Sequence, residues 1–201
     1  MTVGIDLSKV RPGFQDPVHN SQSVFRAIME AVARPGMQVT LSPAPTSPAP
    51  LCPAAGAVAL TLLDFETPVW LSPAIREGEA RDWLRFHCGC PLVDETEASA
   101  FAFISRADEA PPLSAFNPGD AKYPDRSTTV ILQVLSLEGG SSVRLAGPGI
   151  KGERIIAPRG LPADFWDQVA ENGAAFQFGV DILLVAEEGL IGLPRTVRIQ
   201  S

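Results

Sequence analysis

The sequence predicts one α/β domain over residues 1–201, a three-layer sandwich whose mixed, mostly parallel sheet carries helices on its faces. Three observations carry that expectation. The chain has 201 residues, 45% hydrophobic and 19% charged, which suits a single domain with a sizeable apolar core and excludes a disordered chain. Helical and strand patterns alternate through the early part of the chain, as in parallel strands joined by crossovers. Gly139-Gly140 between two late strand patterns adds a hairpin, so the sheet is mixed. There is no internal repeat.

The first helix starts at Asp16-Pro17, a capping carboxylate before a φ-restricted proline, with Val24, Phe25, Ile28, Met29 and Val32 on one face; Arg34-Pro35-Gly36 stops it. Residues 42–53, SPAPTSPAPLCP, hold five prolines in twelve positions, which excludes helix and interior strand and predicts a loop. AAGAVALTLLD (54–64) is apolar nearly all round, as in a helix packed between layers. Thr67 to Leu71 reads as a short strand. Ile75 to Cys88 reads as one half-polar helix, with Ile75, Ala80, Trp83, Leu84 and His87 on the inner side.

Ala100 to Ser105 is a short buried strand by its apolar run, and residues 107–126, with four prolines, form a long irregular loop that is either functional or a plain surface connection. Thr128 to Leu137 is a strand, paired through Gly139-Gly140 with Ser142 to Leu145. Ile155-Ile156 is a further strand, broken by Pro158-Arg159-Gly160. Pro162 opens a helix that closes at Asn172-Gly173 in a left-handed cap. Val180 to Ala186 is a buried strand, Glu188-Gly189 a turn, and Thr196 to Gln200 the last strand.

Charge narrows the function classes. With 23 acidic against 16 basic residues the net charge is −7, which disfavours nucleic acid and anionic membranes as partners. Three cysteines are too few for a disulfide scaffold and point to a reducing compartment. The opening MTVGIDLSKVRPGF has no basic region followed by an apolar core, and no apolar run approaches the roughly 20 residues of a membrane span. The expected location is the cytosol.

Phe86-His87-Cys88-Gly89-Cys90-Pro91 is the nearest approach to a metal or thiol motif, because thiolate and imidazole ligate zinc and a cysteine beside a base can act as a nucleophile. The ligand count does not close, since Cys52 and His19 stand alone in other segments; the alternative is a packed helix-end turn. Gly147-Pro148-Gly149-Ile150-Lys151-Gly152 offers amides and one cation to a phosphate but lacks the Walker spacing, and reads equally as a tight turn. Arginine outnumbers lysine thirteen to three. Arg126, next to Asp125, and Arg195 stand at loop-to-strand junctions, where they either bind ligand, touch a partner subunit or make internal ion pairs. Lys9, Lys122 and Lys151 are the only lysines, and neither plausible one, Lys122 or Lys151, has the context a pyridoxal phosphate (PLP) site needs.

The run Gly13-Phe14-Gln15-Asp16-Pro17-Val18-His19-Asn20-Ser21-Gln22, continuing to Phe25-Arg26-Ala27 and Ala33-Arg34-Pro35-Gly36, closely resembles the opening of the H subunit family (PhnH) of the bacterial carbon–phosphorus lyase system. Further matches follow in the family's order: LTLLD with Thr67-Pro68-Val69-Trp70-Leu71, Phe86-His87 with Gly89-Cys90-Pro91, Pro124-Asp125-Arg126-Ser127, Leu145 with Gly147-Pro148-Gly149-Ile150, Gly179-Val180-Asp181, and Leu193-Pro194-Arg195-Thr196. The resemblance spans nearly the whole chain.

It implies a place in phosphonate catabolism, within a core assembly of G, H, I and J subunits that, with the nucleotide-binding L subunit, transfers ribose triphosphate from ATP to an alkylphosphonate and releases adenine. It also implies a fold similar to the large domain of PLP-dependent transferases, without PLP, and a non-catalytic or accessory chain, with no family motif that names a catalytic residue. His87, Cys90, Asp125, Arg126 and Arg195 are then candidate ligand or subunit-interface residues, and replacing Arg126 or Arg195 is expected to disturb assembly more than stability. The isolated chain is a candidate homodimer. Two competing expectations are a free-standing protein using His87, Cys88 and Cys90 as a metal or thiol site, and a phosphorylated-ligand site near Gly147 to Lys151.

Overall fold

The computed structural model describes residues 10–200; residues 1–9 and 201, which include the start of the segment read above for a targeting signal and Lys9, lie outside the described residues. Asp16 caps α1 (Pro17–Ala33), its carboxylate accepting from the His19 N–H at 3.1 Å, and these bonds to His19 hold the Asp16 carboxyl below its ordinary range. The helix buries Val24, Ile28 and Ala31. Phe25 and Met29 depart from expectation, being 47% and 50% exposed, because they lie roughly 90–130° round the helix from that stripe.

The chain continues through β1 (Gln38–Thr40), α2 (Pro53–Leu62), β2 (Val69–Leu71), α3 (Pro73–Glu77), α4 (Glu79–Cys88), β3 (Leu92–Val93), β4 (Phe101–Ile104) and β5 (Thr129–Gln133). It finishes with β6 (Val143–Ala146), β7 (Arg154–Ile156), α5 (Phe165–Ala174), β8 (Asp181–Ala186), β9 (Gly189–Leu193) and β10 (Arg198–Gln200). The main sheet has the order β1-β9-β8-β5-β4-β2-β3. Its five strands from β8 to β3 run parallel, while β9 and β1 are antiparallel additions at one edge. A second, antiparallel sheet has the order β10-β6-β7.

Alternation along the central strands divides the core. Phe103, Ile131, Leu183 and Val185 face the layer of α1, α2 and α4, whereas Ala102, Ile104, Val130, Leu132, Ile182 and Leu184 face α5 and the three-stranded sheet. The expectation of helices on both faces is therefore corrected: the small sheet, through Leu145 and Ile156, shares the second face with α5.

Three local expectations are also corrected. The predicted hairpin from Thr128–Leu137 to Ser142–Leu145 does not form, because β5 is already paired on both sides, with β4 and β8. The strand ends at Gln133, and the chain beyond pairs with a different segment, with the Leu135 N–H on the Arg159 carbonyl at 2.9 Å and the Gly140 N–H on the Ala157 carbonyl at 2.7 Å. The single helix over 75–88 is two, since Gly78 is extended (φ −98°, ψ 177°), ending α3 and starting α4. The last helix starts at Phe165 after a turn from Pro162, and its end at Ala175 is not left-handed. Asn172 and Gly173 serve packing instead. The Asn172 side chain holds both backbone polar groups of Val180, and a Cβ on Gly173 would meet the Val197 carbonyl at 2.8 Å.

Candidate functional site

The parallel strands end at two different surfaces. In open α/β sheets the crevice beyond the carboxyl ends of the strands is the usual ligand site. Here the proline-rich loop covers part of it, and a shallow pocket of about 300 Å³ remains between the chain leaving β5 and the chain leaving β8. Gln133, the last residue of β5, donates from its amide to the Pro50 carbonyl at 2.8 Å and accepts from the Cys52 N–H at 2.7 Å. The Ala54 N–H reaches the Glu187 carbonyl at 2.7 Å, and Leu41 and Leu51 are buried beneath the loop. Beside it Glu109 accepts from Ser72 Oγ (2.7 Å), Ser105 Oγ (3.0 Å) and the Ala74 N–H (3.3 Å), so this carboxylate finishes the start of α3.

The opposite edge gathers three segments far apart in sequence. Asp181 begins β8; its carboxylate receives Arg195 Nε at 3.2 Å, an Arg195 terminal nitrogen at 2.6 Å and the Arg195 backbone N–H at 2.9 Å. The same guanidinium donates to the Pro124 carbonyl at 2.9 Å, the Gln177 carbonyl at 3.5 Å and Ser127 Oγ. A guanidinium has five N–H donors, and these contacts use all five. Its side chain is 11% exposed. Arg195 is thus held inside the chain, which moves the expected effect of replacing it from assembly to stability.

Asp125 and Arg126 stand beside this network but point outward. Both are exposed; the Arg126 guanidinium lies 4.1 Å from the centroid of the Tyr123 ring, with Lys122 Nζ at 4.9 Å from the same ring. The Arg126 carbonyl accepts from Asn117, which fixes the loop's backbone and leaves its side chain on the surface. A cleft of about 550 Å³ opens on the same edge, between α5 and residues 112–118.

His87, Cys88 and Cys90 end α4 as a packed turn. Gly89 takes the left-handed position (φ 65°) that closes the helix. His87 donates from Nε2 to the Arg11 carbonyl at 2.9 Å, a carbonyl that Trp83 Nε1 also reaches at 3.0 Å, so the ring pins the incoming chain to α4. Burial pushes the Cys88 thiol up to about 12, with a smaller contribution from Cys90, and burial pushes Cys90 up as well. Thiols so raised stay protonated at neutral pH, the wrong state for a nucleophile. Among the described residues no group of three or more His, Cys, Asp or Glu side chains gathers to hold a metal. The free-standing metal or thiol reading is not supported.

Gly147 to Gly152 is the turn between β6 and β7, with Gly149 (φ 82°) set against the Ala33 carbonyl at the end of α1; Lys151 is exposed. Of the remaining site residues, Gln133, Glu109 and Ser72 escape a motif reading, and Asp181 enters it only as the end of the Gly179-Val180-Asp181 block. Their signal is faint: Gln133 interrupts the apolar run TTVILQVL, and Asp181 precedes another.

The three segments meeting at Arg195 are Pro124–Ser127, Gly179–Asp181 and Leu193–Thr196, three of the blocks whose order carries the sequence resemblance. Residues 12–200 match the family model described as "Bacterial phosphonate metabolism protein (PhnH)". The chain belongs to the PhnH family. Among curated relatives it is 47% identical over 187 residues, 93% of this chain and 94% of the other, to the alpha-D-ribose 1-methylphosphonate 5-triphosphate synthase subunit PhnH of Rhizobium meliloti (strain 1021). It is 30% identical over 178 residues, 89% of this chain and 85% of the other, to HtxG of Stutzerimonas stutzeri, whose name describes a C-P lyase subunit. Among the described residues no helix of this PhnH-family chain is long and apolar enough to cross a membrane.

Proposed function

We propose that the chain is a subunit of the assembly that makes alpha-D-ribose 1-methylphosphonate 5-triphosphate, supporting transfer of ribose triphosphate from ATP to an alkylphosphonate with release of adenine, and that it has no turnover alone. The observation that carries this is the match along nearly the whole length of both chains to a subunit so named. Geometry supports the accessory role. Arg195 at the start of the last loop has its donors filled, burial raises the Cys88 and Cys90 thiols, and the cleft beside α5 presents three carboxylates, which repel a triphosphate or phosphonate.

The partners are the G, I and J subunits, with L acting alongside, in the cytosol. Exposed Asp125 and Arg126 are interface candidates, whereas His87 and Cys90 are packed where α4 ends and β3 follows. The same reading takes the fold as a relative of the PLP-dependent transferase large domain that works without the cofactor. In support, the sheet is mixed and largely parallel, and Lys122 and Lys151 are both exposed, so neither amine is desolvated for such chemistry.

Co-expression with G, I and J, a tag on one of them, and native mass spectrometry test the proposal. Stoichiometric retention of this chain is expected; its exclusion overturns the subunit reading. The purified chain given ATP and methylphosphonate is expected to release no adenine, and turnover would overturn the accessory role.

A further inference from the structure

The cleft beside α5 has walls of opposite character. Its floor is apolar, made by Leu113, Phe116 and Val180, each at most 8% exposed. Its α5 wall presents Asp164, Asp167 and Glu171, spaced to lie on one helix face. Among the described residues none of the three is in an ion pair, and no lysine or arginine lines the cleft. The helix dipole accounts for acidic residues at the start of α5 but not for Glu171, one turn further on. Ala175 and Gly179 also line the cleft, and the segment between them carries Phe176 and Phe178, 64% and 37% exposed. Exposed aromatics at the mouth of a deep apolar floor mark an interaction surface.

We propose that this cleft is where the chain docks onto a neighbouring subunit, through a segment of that subunit presenting basic side chains beside apolar ones. The inference rests on the subunit reading and gives it a surface. Charge complementarity selects the occupant. Anionic substrates are repelled, and a second copy meeting this one about a two-fold axis through the cleft would set carboxylate wall against carboxylate wall, whereas a basic segment neutralises the wall while its apolar neighbours cover Phe176 and Phe178.

The test uses the co-expressed assembly. Asp167→Lys with Glu171→Lys is expected to lower retention about tenfold or more, and Phe176→Ala to lower it less. Glu138→Lys, on a surface away from the cleft, is expected to change nothing, and raising salt is expected to weaken wild-type retention. Circular dichroism and thermal unfolding of each purified variant show that it is folded. Retention of the folded double variant at the wild-type level overturns the proposal, as does loss of self-association by that variant with the assembly intact, which would make the occupant a second copy. Exclusion of the wild-type chain itself would overturn the subunit reading together with this one.

Discussion

The two ends of the parallel strands are finished by different chemistry. At the carboxyl ends the closure is neutral: one amide side chain, Gln133, and a few backbone groups tie the proline-rich loop over the crevice. At the amino ends it is ionic, an arginine whose side-chain donors all go to two other segments, 124–127 and 177–181, with an open acidic cleft alongside. The edge where such sheets usually hold a ligand is largely covered by the chain itself, and the edge that usually only connects elements carries the larger of the two openings.

The comparison breaks most readily at Arg195. Arg195→Ala leaves Asp181 facing an empty space and the Pro124 carbonyl without its donor, and is expected to cost about 3 kcal/mol in urea unfolding. Arg195→Lys keeps the charge but not the fork, and is expected to lose a smaller part of it. A loss within experimental error would show that the ionic edge is not what fixes these segments.

Next in size is Gln133→Leu, which keeps the volume but strands the Cys52 N–H and the Pro50 carbonyl. It is expected to cost about 2 kcal/mol and to speed hydrogen exchange at the Cys52 amide while leaving the Val180 amide, at the other edge, unchanged. Equal acceleration at both edges would mean that the two closures are one cooperative unit.

The smallest effect sharpens the picture of the plug. Burial pushes the Cys52 thiol up to about 11, against 9.0 for a free thiol, and Cys88 to about 12. Between pH 9 and 11 the unfolded chain loses these protons while the folded chain keeps them, so the stability they protect is whole below pH 9 and falls as pH rises. Unfolding measured from pH 8 to 11 is expected to show that decline, reduced in Cys88→Ala. Alkylation of Cys52 at pH 8 is expected to be slow, and faster in Gln133→Leu; fast alkylation in the wild type would show the plug to be open.

Much of the fold was legible because its signals are local. Asp16-Pro17 starts α1, the apolar run 54–62 is α2, and the strand patterns near 69, 101, 130 and 182 are all in the main sheet. What escaped was set by partners elsewhere. β1, β3 and β9 are short or carry glycine, and become strands only because a neighbour offers a free edge. Gly139-Gly140 carries a hairpin signal that the doubly paired β5 cannot accept. Gly78 was a readable stop inside an otherwise helical pattern. At the site, Arg195 was visible as a residue but its saturation was not, since a count of donors used needs coordinates.

The pairing of β1 with β9 joins Gln38–Thr40 to Gly189–Ile191, roughly 150 residues apart in the chain. On the ribosome, β1, which follows α1, has no sheet edge to settle on until residues 189–191 have emerged, and closing so long a loop is slow. Completion of the fold thus waits for β9, so a product truncated before Gly189 lacks its first strand's partner and arrives at assembly already unfinished.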